Sequence, residues 1–290
     1  MVENLYTKYI GNAKTAILLP REELRGFIKR YFFYEIKSAI LNHKCNAIPN
    51  GEVELFIHFD GCHITIIRDG KIADLCCFIK GICPLGIPWT GIPQPNPDGI
   101  YKVLAVAFTL RGLELFRDIT RCDFLNQIYD ADEFIDYHFN SLRERCYGAS
   151  FSTIANIMDE GFTRFFSKAN NFQIIPIDKL YTNCNSISGA LNVERLSFEF
   201  NMSYRSINRY FHNYLGVSPK FYLRILRFDR ICRSIQSARH TDLMDLVYLC
   251  GYYDQSHFIR EFRQVMHMSP MAFLKRSNGK FHINQAYLFE

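Results

Sequence analysis

The sequence predicts an α+β protein with more than one domain: a small antiparallel β-barrel with a helical pair, then an all-α domain of two helix-turn-helix units joined by a long helix. Three observations predict this fold class. The chain of 290 residues is long enough for two ordinary domains. Short apolar runs separated by turn residues fill much of the N-terminal part. The C-terminal third repeats itself at an offset of 51 residues, which indicates two copies of one supersecondary unit.

The bulk composition narrows the class of protein. A hydrophobic content of 48% and a mean hydropathy of −0.09 fit a chain that buries real cores, and they do not fit disorder. No apolar run approaches the roughly 18 residues of a membrane span, and the first twenty residues lack the build of a signal peptide. The ten cysteines are scattered through a chain too large to need disulfide bonds, so we expect reduced thiols. The sequence therefore predicts a cytoplasmic protein without membrane contact.

Strand patterns dominate the first 130 residues. Asp60-Gly61 and Asp69-Gly70 are turn signals between runs of β-branched and aromatic residues. These runs predict strands within three segments: residues 54–61, 63–70 and 101–109. Arg21 and Arg25, or Glu52 and Glu54, either line a pocket or are plain surface charges, and we favour surface charges.

A stretch rich in Pro and Gly lies between Gly81 and Gly99 and contains Trp89, the only Trp. We predict a loop over the barrel mouth there. Helical spacing follows from about Asp132 to Phe166. These patterns predict the following division: an N-terminal domain of residues 1–172, β-rich over 1–130 and helical over 131–172, then a linker of residues 173–191.

The two copies in the C-terminal third share one order of elements. Each begins with a short apolar segment, Val193–Phe200 or Leu243–Cys250, followed by a tight break for which Gly251 suits a positive φ in the second copy. An N-cap residue, Ser203 or Asp254, then starts a helix of about ten residues. Ser-Pro starts the next helix, and the one between the copies is predicted over residues 219–237. The domain is predicted over residues 192–280.

The outer faces of the two second helices point to DNA binding. Helical spacing turns Ile207 and Phe211 of the first copy, and Phe258 and Phe262 of the second, inward. The opposite faces carry side chains that donate to base edges and phosphates in a major groove. In the first copy these are Arg205, Ser206, Asn208, Arg209 and His212, and in the second Ser256, His257, Arg260, Arg263 and Gln264. Arg209 and Arg260 occupy the same position of the repeat.

Charge is distributed unevenly along the chain. Residues 192–280 contain 14 Lys and Arg against 7 Asp and Glu, a net charge of +7. The whole chain is +5, so the remainder is about −2. A basic C-terminal third beside a slightly acidic remainder favours a nucleic-acid-binding module attached to a different domain.

Residues 192–276 resemble the DNA-binding domain of the AraC/XylS family of bacterial transcription regulators. The motifs that carry this resemblance are Leu196, Ser203, Ile207, Arg209, Phe211, Gly216-Val217-Ser218-Pro219, Tyr222, Arg227, Gly251-Tyr252, Asp254 to Phe258, Arg260, Phe262 and Ser269-Pro270. The resemblance implies base contacts from Arg205, Ser206, Asn208 and Arg209, and from Gln255, Ser256, His257 and Arg260. Helical periodicity instead places Gln255 nearer the core edge. Val247 and Ile231 are bulkier than the family's usual Ala, and Ser234 replaces a usual Leu.

The N-terminal part is similar to the cupin-like sensor domain of certain AraC-type regulators. The matching positions are Pro20, Leu24, Phe27-Ile28, Tyr31, Ile48-Pro49-Asn50-Gly51, Phe78 and Gly81. Such domains bind a small effector, dimerise, or do both, and the resemblance implies the same options here.

Two rival hypotheses concern the N-terminal domain. A thiol or metal sensor would draw on a set of His and Cys residues: His43, Cys45, His58, Cys62, His63, Cys76, Cys77 and Cys83. Adjacent residues on a strand point to opposite faces, and neither CxxC nor HExxH spacing occurs, so we favour cysteines packed as small hydrophobes. An enzyme is disfavoured because no nucleophile–base or carboxylate pair stands out.

The sequence thus predicts a sequence-specific transcription regulator and not an enzyme. A small effector at the N-terminal domain would control it, and the alternative is a thiol- or metal-responsive regulator with the same DNA module. The expected partners are double-stranded DNA, a small-molecule effector, a second copy in a homodimer and RNA polymerase. No cofactor or metal is expected.

Overall fold

The computed structural model describes residues 3–10, 13–37, 45–47, 50–82, 90–109, 112, 125, 127–131, 139–166, 192–236, 247, 252, 254–266, 268–277, 282–283 and 287–289. Outside these residues lie the predicted linker, Trp89, Gly251 and all of the predicted apolar segment Leu243–Cys250 except Val247. The chain divides into two compact units. The β-rich unit consists of Met1–Cys45, Glu52–Gly81 and Trp89–Ile174, and the helical unit of Asn46–Gly51, Ile82–Pro88 and Ile175–Glu290.

Eleven strands precede the helices in the described chain. They are β1 (Glu3–Ile10), β2 (Ala13–Leu19), β3 (Ile28–Lys37), β4 (Cys45–Ala47), β5 (Glu54–His58), β6 (His63–Arg68), β7 (Lys71–Leu75), β8 (Cys77–Lys80), β9 (Thr90–Gln94), β10 (Ile100–Phe108) and β11 (Ile128–Asp130). A short 3-10 turn, Glu22–Leu24, lies between β2 and β3. The three strands predicted from sequence appear as β5, β6 and β10.

One antiparallel sheet forms the core of the β-rich unit. Its seven strands follow the order β1-β2-β3-β10-β5-β8-β11. Strand β10 lies between β3 and β5, with Val103 opposite Tyr34 on one side and His58 on the other. Every residue of β10 after Ile100 is buried, as expected for a central strand covered on both faces. The predicted N-terminal antiparallel β structure is therefore confirmed.

A second group of strands pairs around β6. Strand β7 lies on one side of it and β9 on the other, both antiparallel. The turn between β6 and β7 contains Asp69 and Gly70 at φ values of 48° and 74°. Asp and Gly tolerate this left-handed conformation better than other residues, which explains the turn signal in the sequence.

The prediction of a loop throughout Gly81–Gly99 is wrong for the segment Thr90–Gln94, which is β9. Gly91 and Pro93 are buried while Thr90, Ile92 and Gln94 are partly exposed, so the segment has the two-residue alternation of a strand. Its composition hid this pattern, because Gly and Pro are rare inside strands. Residues 83–89 lie outside the described residues.

The expectation that Glu52 and Glu54 are surface charges is also wrong. Glu54 Oε2 lies 2.7 Å from Lys80 Nζ, and both side chains are 0% exposed. Glu52 is likewise buried, and the guanidinium of Arg30 donates to both of its carboxylate oxygens at 3.1 and 2.5 Å. Carboxylates out of water are tolerated when they are paired in this way.

Two helices are described in the β-rich unit: α1 (Phe139–Arg145) and α2 (Phe151–Phe166). Residues 132–138, at the start of the predicted helical region, lie outside the described residues. Helix α2 buries Asp159, which accepts hydrogen bonds from the Tyr31 hydroxyl at 2.7 Å and the Arg21 backbone amide at 3.1 Å. Burial raises the pKa of Asp159, and burial together with Asp159 raises that of Tyr31.

The helical unit contains five described helices and a short strand pair. They are α3 (Val193–Phe200), α4 (Tyr204–Leu215), α5 (Pro219–Gln236), α6 (Gln255–Met266), α7 (Pro270–Ser277), β12 (His282–Ile283) and β13 (Tyr287–Phe289). The predicted long helix between the copies is observed as α5. A cluster of aromatic and aliphatic side chains joins α5, α6 and α7: Phe228, Ile231, Val247, Tyr252, Phe258, Phe262, Val265 and Phe273. None of the described helices has both the length and the apolar character to cross a membrane.

Candidate nucleic-acid interface

The first candidate recognition helix is α4, and its start is fixed by local hydrogen bonds. Helix α3 ends at Asn201, which adopts the left-handed conformation at φ 48°. Two residues later the Ser203 hydroxyl accepts a hydrogen bond from the Ser206 amide at 3.2 Å. This N-cap satisfies an amide that would otherwise have no partner at the helix start. Asn201 and Ser203 thus define the turn between the two helices.

Helix α4 presents two arginines to solvent. Ile207 and Phe211 are buried, and the Phe211 ring packs against Tyr222 of α5 with ring centroids 5.5 Å apart. Arg205 and Arg209 on the opposite face are exposed. Two other predicted contact residues are partly buried and bonded within the helix. The Asn208 amide donates to the Tyr204 carbonyl at 3.2 Å, and the Ser206 hydroxyl lies 2.9 Å from that of Ser203.

The second candidate recognition helix, α6, starts in the same way. Asp254 Oδ1 accepts a hydrogen bond from the His257 amide at 2.7 Å. Phe258 and Phe262 are fully buried. All six α6 residues that the sequence assigns to DNA contact are exposed on the remaining surface: Gln255, Ser256, His257, Arg260, Arg263 and Gln264. Gln255 is therefore not at the core edge, where helical periodicity places it.

Arg209 and Arg260 have matching positions in the two helix-turn-helix copies. Each lies six residues after its N-cap residue, Ser203 or Asp254, and each is exposed. Arg260 Nε lies 3.4 Å from the Ser256 carbonyl oxygen one turn earlier. Each of the two helices therefore presents one guanidinium at the same helical position. This position lies beside a polar face and opposite a buried aromatic face.

Within the helical unit, a basic cleft of about 810 Å³ lies between the two recognition helices, and sequence reasoning missed most of its lining. Helix α5 contributes Lys220, Arg224 and Arg227, while Tyr204 of α4 and Arg260 of α6 also line it. The three α5 residues follow i, i+4, i+7 spacing, which puts them on one helical face. That spacing was visible in the sequence, but it does not reveal that this face lies between the recognition helices.

The helical unit has more cationic than anionic side chains at this cleft. Such an excess of positive charge is suited to binding a polyanion. Lys220, Arg224, Arg227 and Arg260 face two carboxylates, Glu194 and Glu261. The guanidinium of Arg227 also lies over the Tyr252 ring, 5.4 Å from its centroid. Phosphate contacts position a protein on a duplex, and base contacts supply the sequence preference. The cleft and the two helices provide side chains for both tasks.

His58 of the β-rich unit is buried with a hydrogen-bond partner at each ring nitrogen. His58 Nδ1 is 2.9 Å from the Cys76 carbonyl oxygen, which can only accept, so Nδ1 carries the proton. His58 Nε2 then accepts from the Tyr101 hydroxyl at 2.7 Å. Burial lowers the pKa of His58 to about 3. This imidazole is neutral and satisfied on both sides.

Two buried thiols have raised pKa values. Burial raises the pKa of Cys146 to about 11 and also raises that of Cys62. The Cys62 thiol lies 3.1 Å from the Ile100 carbonyl oxygen, to which it donates. His43 and Cys83 lie outside the described residues. Within the described parts of the chain, no group of three or more His, Cys, Asp or Glu is arranged to hold a metal ion.

Two capped helices with exposed basic faces, joined through one long helix, define a helix-turn-helix DNA-binding module. The family model described as "Helix-turn-helix domain" matches residues 196–276. The transcriptional activator RhaS of Escherichia coli O139:H28 (strain E24377A / ETEC) is 30% identical over 89 residues, which are 31% of this chain and 32% of RhaS. RhaS of Enterobacter sp. (strain 638) is 33% identical over 79 residues, 27% of each chain. These matches confirm a helix-turn-helix domain in residues 196–276 and support its resemblance to the DNA-binding domain of AraC/XylS-type regulators.

The matched region is the C-terminal part alone. The chain spans about a third of the length of the curated relatives it matches. Among solved structures, ToxT from Vibrio cholerae O395 aligns with 88% of this chain and 99% of that chain, at 13% identity and a TM-score of 0.45. That similarity is too low to establish a shared fold.

Proposed function

We propose that this chain is a sequence-specific DNA-binding transcription regulator that places α4 and α6 in successive major-groove segments. The observation that carries the proposal is the pair of exposed arginines, Arg209 and Arg260, at the same position of two capped helices. The base and phosphate contacts are assigned to the exposed faces and helix starts: Arg205, Ser206, Asn208, Arg209, Gln255, Ser256, His257, Arg260 and Arg263. An arginine that pairs with a guanine edge discriminates against other bases by about 1–3 kcal/mol.

The N-terminal part is proposed to be the control domain. It would extend over residues 1–172 as a cupin-like barrel with its helical pair, and residues 173–191 would link it to the DNA-binding domain at 192–280. A small effector bound there would change DNA binding if it favours one arrangement of the protein over another. A homodimer through this domain, contact with RNA polymerase and a cytoplasmic location complete the proposal, and no catalytic activity is included.

The thiol-responsive alternative finds little support in the described cysteines. Cys62 and Cys146 are buried with raised pKa values, and reactive thiols need lowered ones. Metal analysis of the protein purified without chelators tests the metal-responsive version. Stoichiometric zinc or iron would favour it over control by a small effector.

The proposal is tested by selecting bound sequences from randomised duplex DNA with the full-length protein. Two recognition helices one turn of DNA apart predict two short motifs whose centres are separated by about 10 base pairs, or roughly 34 Å. Affinity for the selected site should fall steeply with salt, because Lys and Arg displace counterions from the phosphates. If the recovered duplexes share no sequence motif, the proposal is contradicted.

A matched control separates the interface from general charge. Lys71 is an exposed lysine on β7 of the β-rich unit. Lys71→Ala removes one positive charge, as a substitution at Arg260 does, and should leave the selected motifs and the affinity unchanged. A loss of affinity as large as that of Arg260→Ala would show that net charge, and not the two helices, determines binding.

A further inference from the structure

The carboxylate of Glu261 occupies an unusual place on the second recognition helix. It lies between Arg260, which is exposed, and Phe262, which is fully buried, and Glu261 itself is only 7% exposed. A carboxylate taken this far from water needs compensating partners. The sequence gives no reason for an acidic residue on a face meant for a polyanion. Its role must therefore be found in the residues that it contacts.

The main partner of Glu261 is Arg224 of α5. Arg224 Nε donates to Glu261 Oε1 at 2.5 Å, and Arg224 Nη2 lies 3.4 Å from Gln264 Oε1. His257 Nε2 is 3.9 Å from the other carboxylate oxygen of Glu261. One guanidinium thus reaches two residues that are three positions apart on α6. Because the guanidinium is planar and its donors have fixed directions, this contact constrains the rotation and the height of α6 along α5.

The apolar contacts of the same helix do not constrain it in this way. Phe262 packs against Phe228, Phe258 and Phe273, with ring centroids 5.1, 5.7 and 5.5 Å apart. Hydrophobic burial is non-directional, so it holds α6 against α5 without specifying its rotation closely. The directional ion pair between Arg224 and Glu261 fixes the rotation of α6, which the apolar cluster leaves loosely specified.

The first recognition helix has a different residue at the position of Glu261. The repeat offset of 51 residues places Tyr210 at the position of Glu261. Helix α4 rests on α5 through its buried aromatic and aliphatic side chains, of which Phe211 stacks edge-on against Tyr222. Among the described residues, the ion pair between a recognition helix and α5 is that of the second copy, so its loss should affect the two recognition helices differently.

We propose that Arg224 and Glu261 are positioning residues that set the orientation of α6 and thereby the base preference at the DNA segment that α6 reads. This rests on the proposed function. Arg224 lines the basic cleft, but its guanidinium is engaged by Glu261 and acts through that carboxylate. Lys220, one turn earlier on α5, is exposed in the same cleft and serves as the phosphate-contacting counterpart.

The test uses the full-length protein, its selected DNA site and every single-base variant of that site. Arg224→Ala and Glu261→Gln should each reduce base discrimination about tenfold in the segment read by α6, the size expected for misplacing one bidentate contact. Discrimination in the segment read by α4 should stay within about twofold of the unaltered protein. The double substitution should lose no more base discrimination than the more affected of the two single variants, because both substitutions remove the same contact.

Two further variants sharpen the test. Arg224→Lys keeps the charge but loses the fork geometry, so it should show the same local loss of discrimination. Lys220→Ala should lower affinity equally for all sequences and reduce the salt slope by about one unit. If Arg224→Ala or Glu261→Gln fails to fold, as judged by thermal unfolding, Arg224→Lys provides the measurement.

The outcomes are separable. If Arg224→Ala behaves like Lys220→Ala, with uniform loss and a reduced salt slope, Arg224 is a phosphate contact and the positioning role is wrong. If Glu261→Gln raises affinity for all sequences alike, the carboxylate only repels DNA and the proposal is also wrong. If the unaltered protein selects no sequence at all, the proposed function fails before positioning is in question.

Discussion

Each unit of this chain contains a set of charged side chains in a distinct environment, one buried and one exposed. In the β-rich unit, Glu54 and Lys80 form an ion pair that is fully buried, and His58 has both ring nitrogens bonded in the interior. In the helical unit, arginines such as Arg209 and Arg260 extend from capped helices into solvent. Charges of the first kind belong to the internal structure of their unit. Charges of the second kind remain available to a ligand.

The difference shows how a charged residue should be interpreted. Buried charges need partners of opposite sign or full hydrogen bonding, because desolvation costs several kcal/mol for each ion. Exposed charges carry no such cost and gain little from isolated pairs in water. Arg224 and Glu261 fall between these limits, since Glu261 is nearly buried and Arg224 is half-exposed. We therefore assign them a structural task at a binding surface.

The buried pair of the β-rich unit gives the largest expected effect. Lys80→Met removes the ammonium 2.7 Å from the Glu54 carboxylate and should lower the free energy of unfolding by about 3–5 kcal/mol, measured by urea denaturation. Replacing both residues, Glu54→Leu with Lys80→Met, should recover most of that loss. A single variant as stable as the unaltered protein would show that Glu54 does not depend on Lys80.

A second prediction concerns pH and the same unit. The folded pKa of His58 is lowered from 6.5 to about 3, so between these values the unfolded chain binds a proton that the folded chain does not. The stability contributed by neutral His58 is present above about pH 6.5 and is lost as pH falls towards 3. The loss approaches about 1.4 kcal/mol per pH unit, or about 3 kcal/mol over two units.

The measurement is urea unfolding at several pH values, compared with His58→Gln. The glutamine amide can donate to the Cys76 carbonyl and accept from Tyr101, but it does not titrate. The difference between the two curves isolates His58 from Asp159. The raised pKa of Asp159 acts in the opposite direction, because stability then falls as pH rises from its unfolded value through its folded one. Parallel curves would refute the assigned state of His58.

Much of the helical unit could be predicted because its signals are local. Ser203 and Asp254 are N-caps, and Ile207 with Phe211 follows the helical repeat, so the sequence alone places the exposed faces. The ion pair between Arg224 and Glu261 could not be predicted in this way. It joins residues 37 positions apart on different helices, and neither residue is remarkable in its own segment.

The β-rich unit was less predictable for a related reason. Strand β5 reads Glu54-Leu-Phe-Ile-His58, and its ends look like surface positions, yet all five residues are buried. A strand covered on both faces loses the alternation that identifies a half-exposed strand. Strand β9 was hidden by Gly91 and Pro93. In both cases the deciding interaction is with a neighbouring strand that lies far away in sequence.

The two recognition helices allow the smallest and most specific test of the comparison. Arg209→Ala and Arg260→Ala remove the same group from equivalent exposed positions, so neither should change the unfolding temperature appreciably. Each should lose about 1–3 kcal/mol of base discrimination in its own DNA segment, measured by competition binding with single-base variants of the selected site.

The informative result is which DNA segment loses base discrimination in each variant. If Arg209→Ala alters one segment and Arg260→Ala the other, both copies read bases. If only Arg260→Ala changes discrimination, α4 serves to hold the phosphate backbone, in keeping with the internal hydrogen bonds of Ser206 and Asn208. Exposed charges would then differ in task within the helical unit as well, and exposure alone would not identify a base-reading arginine.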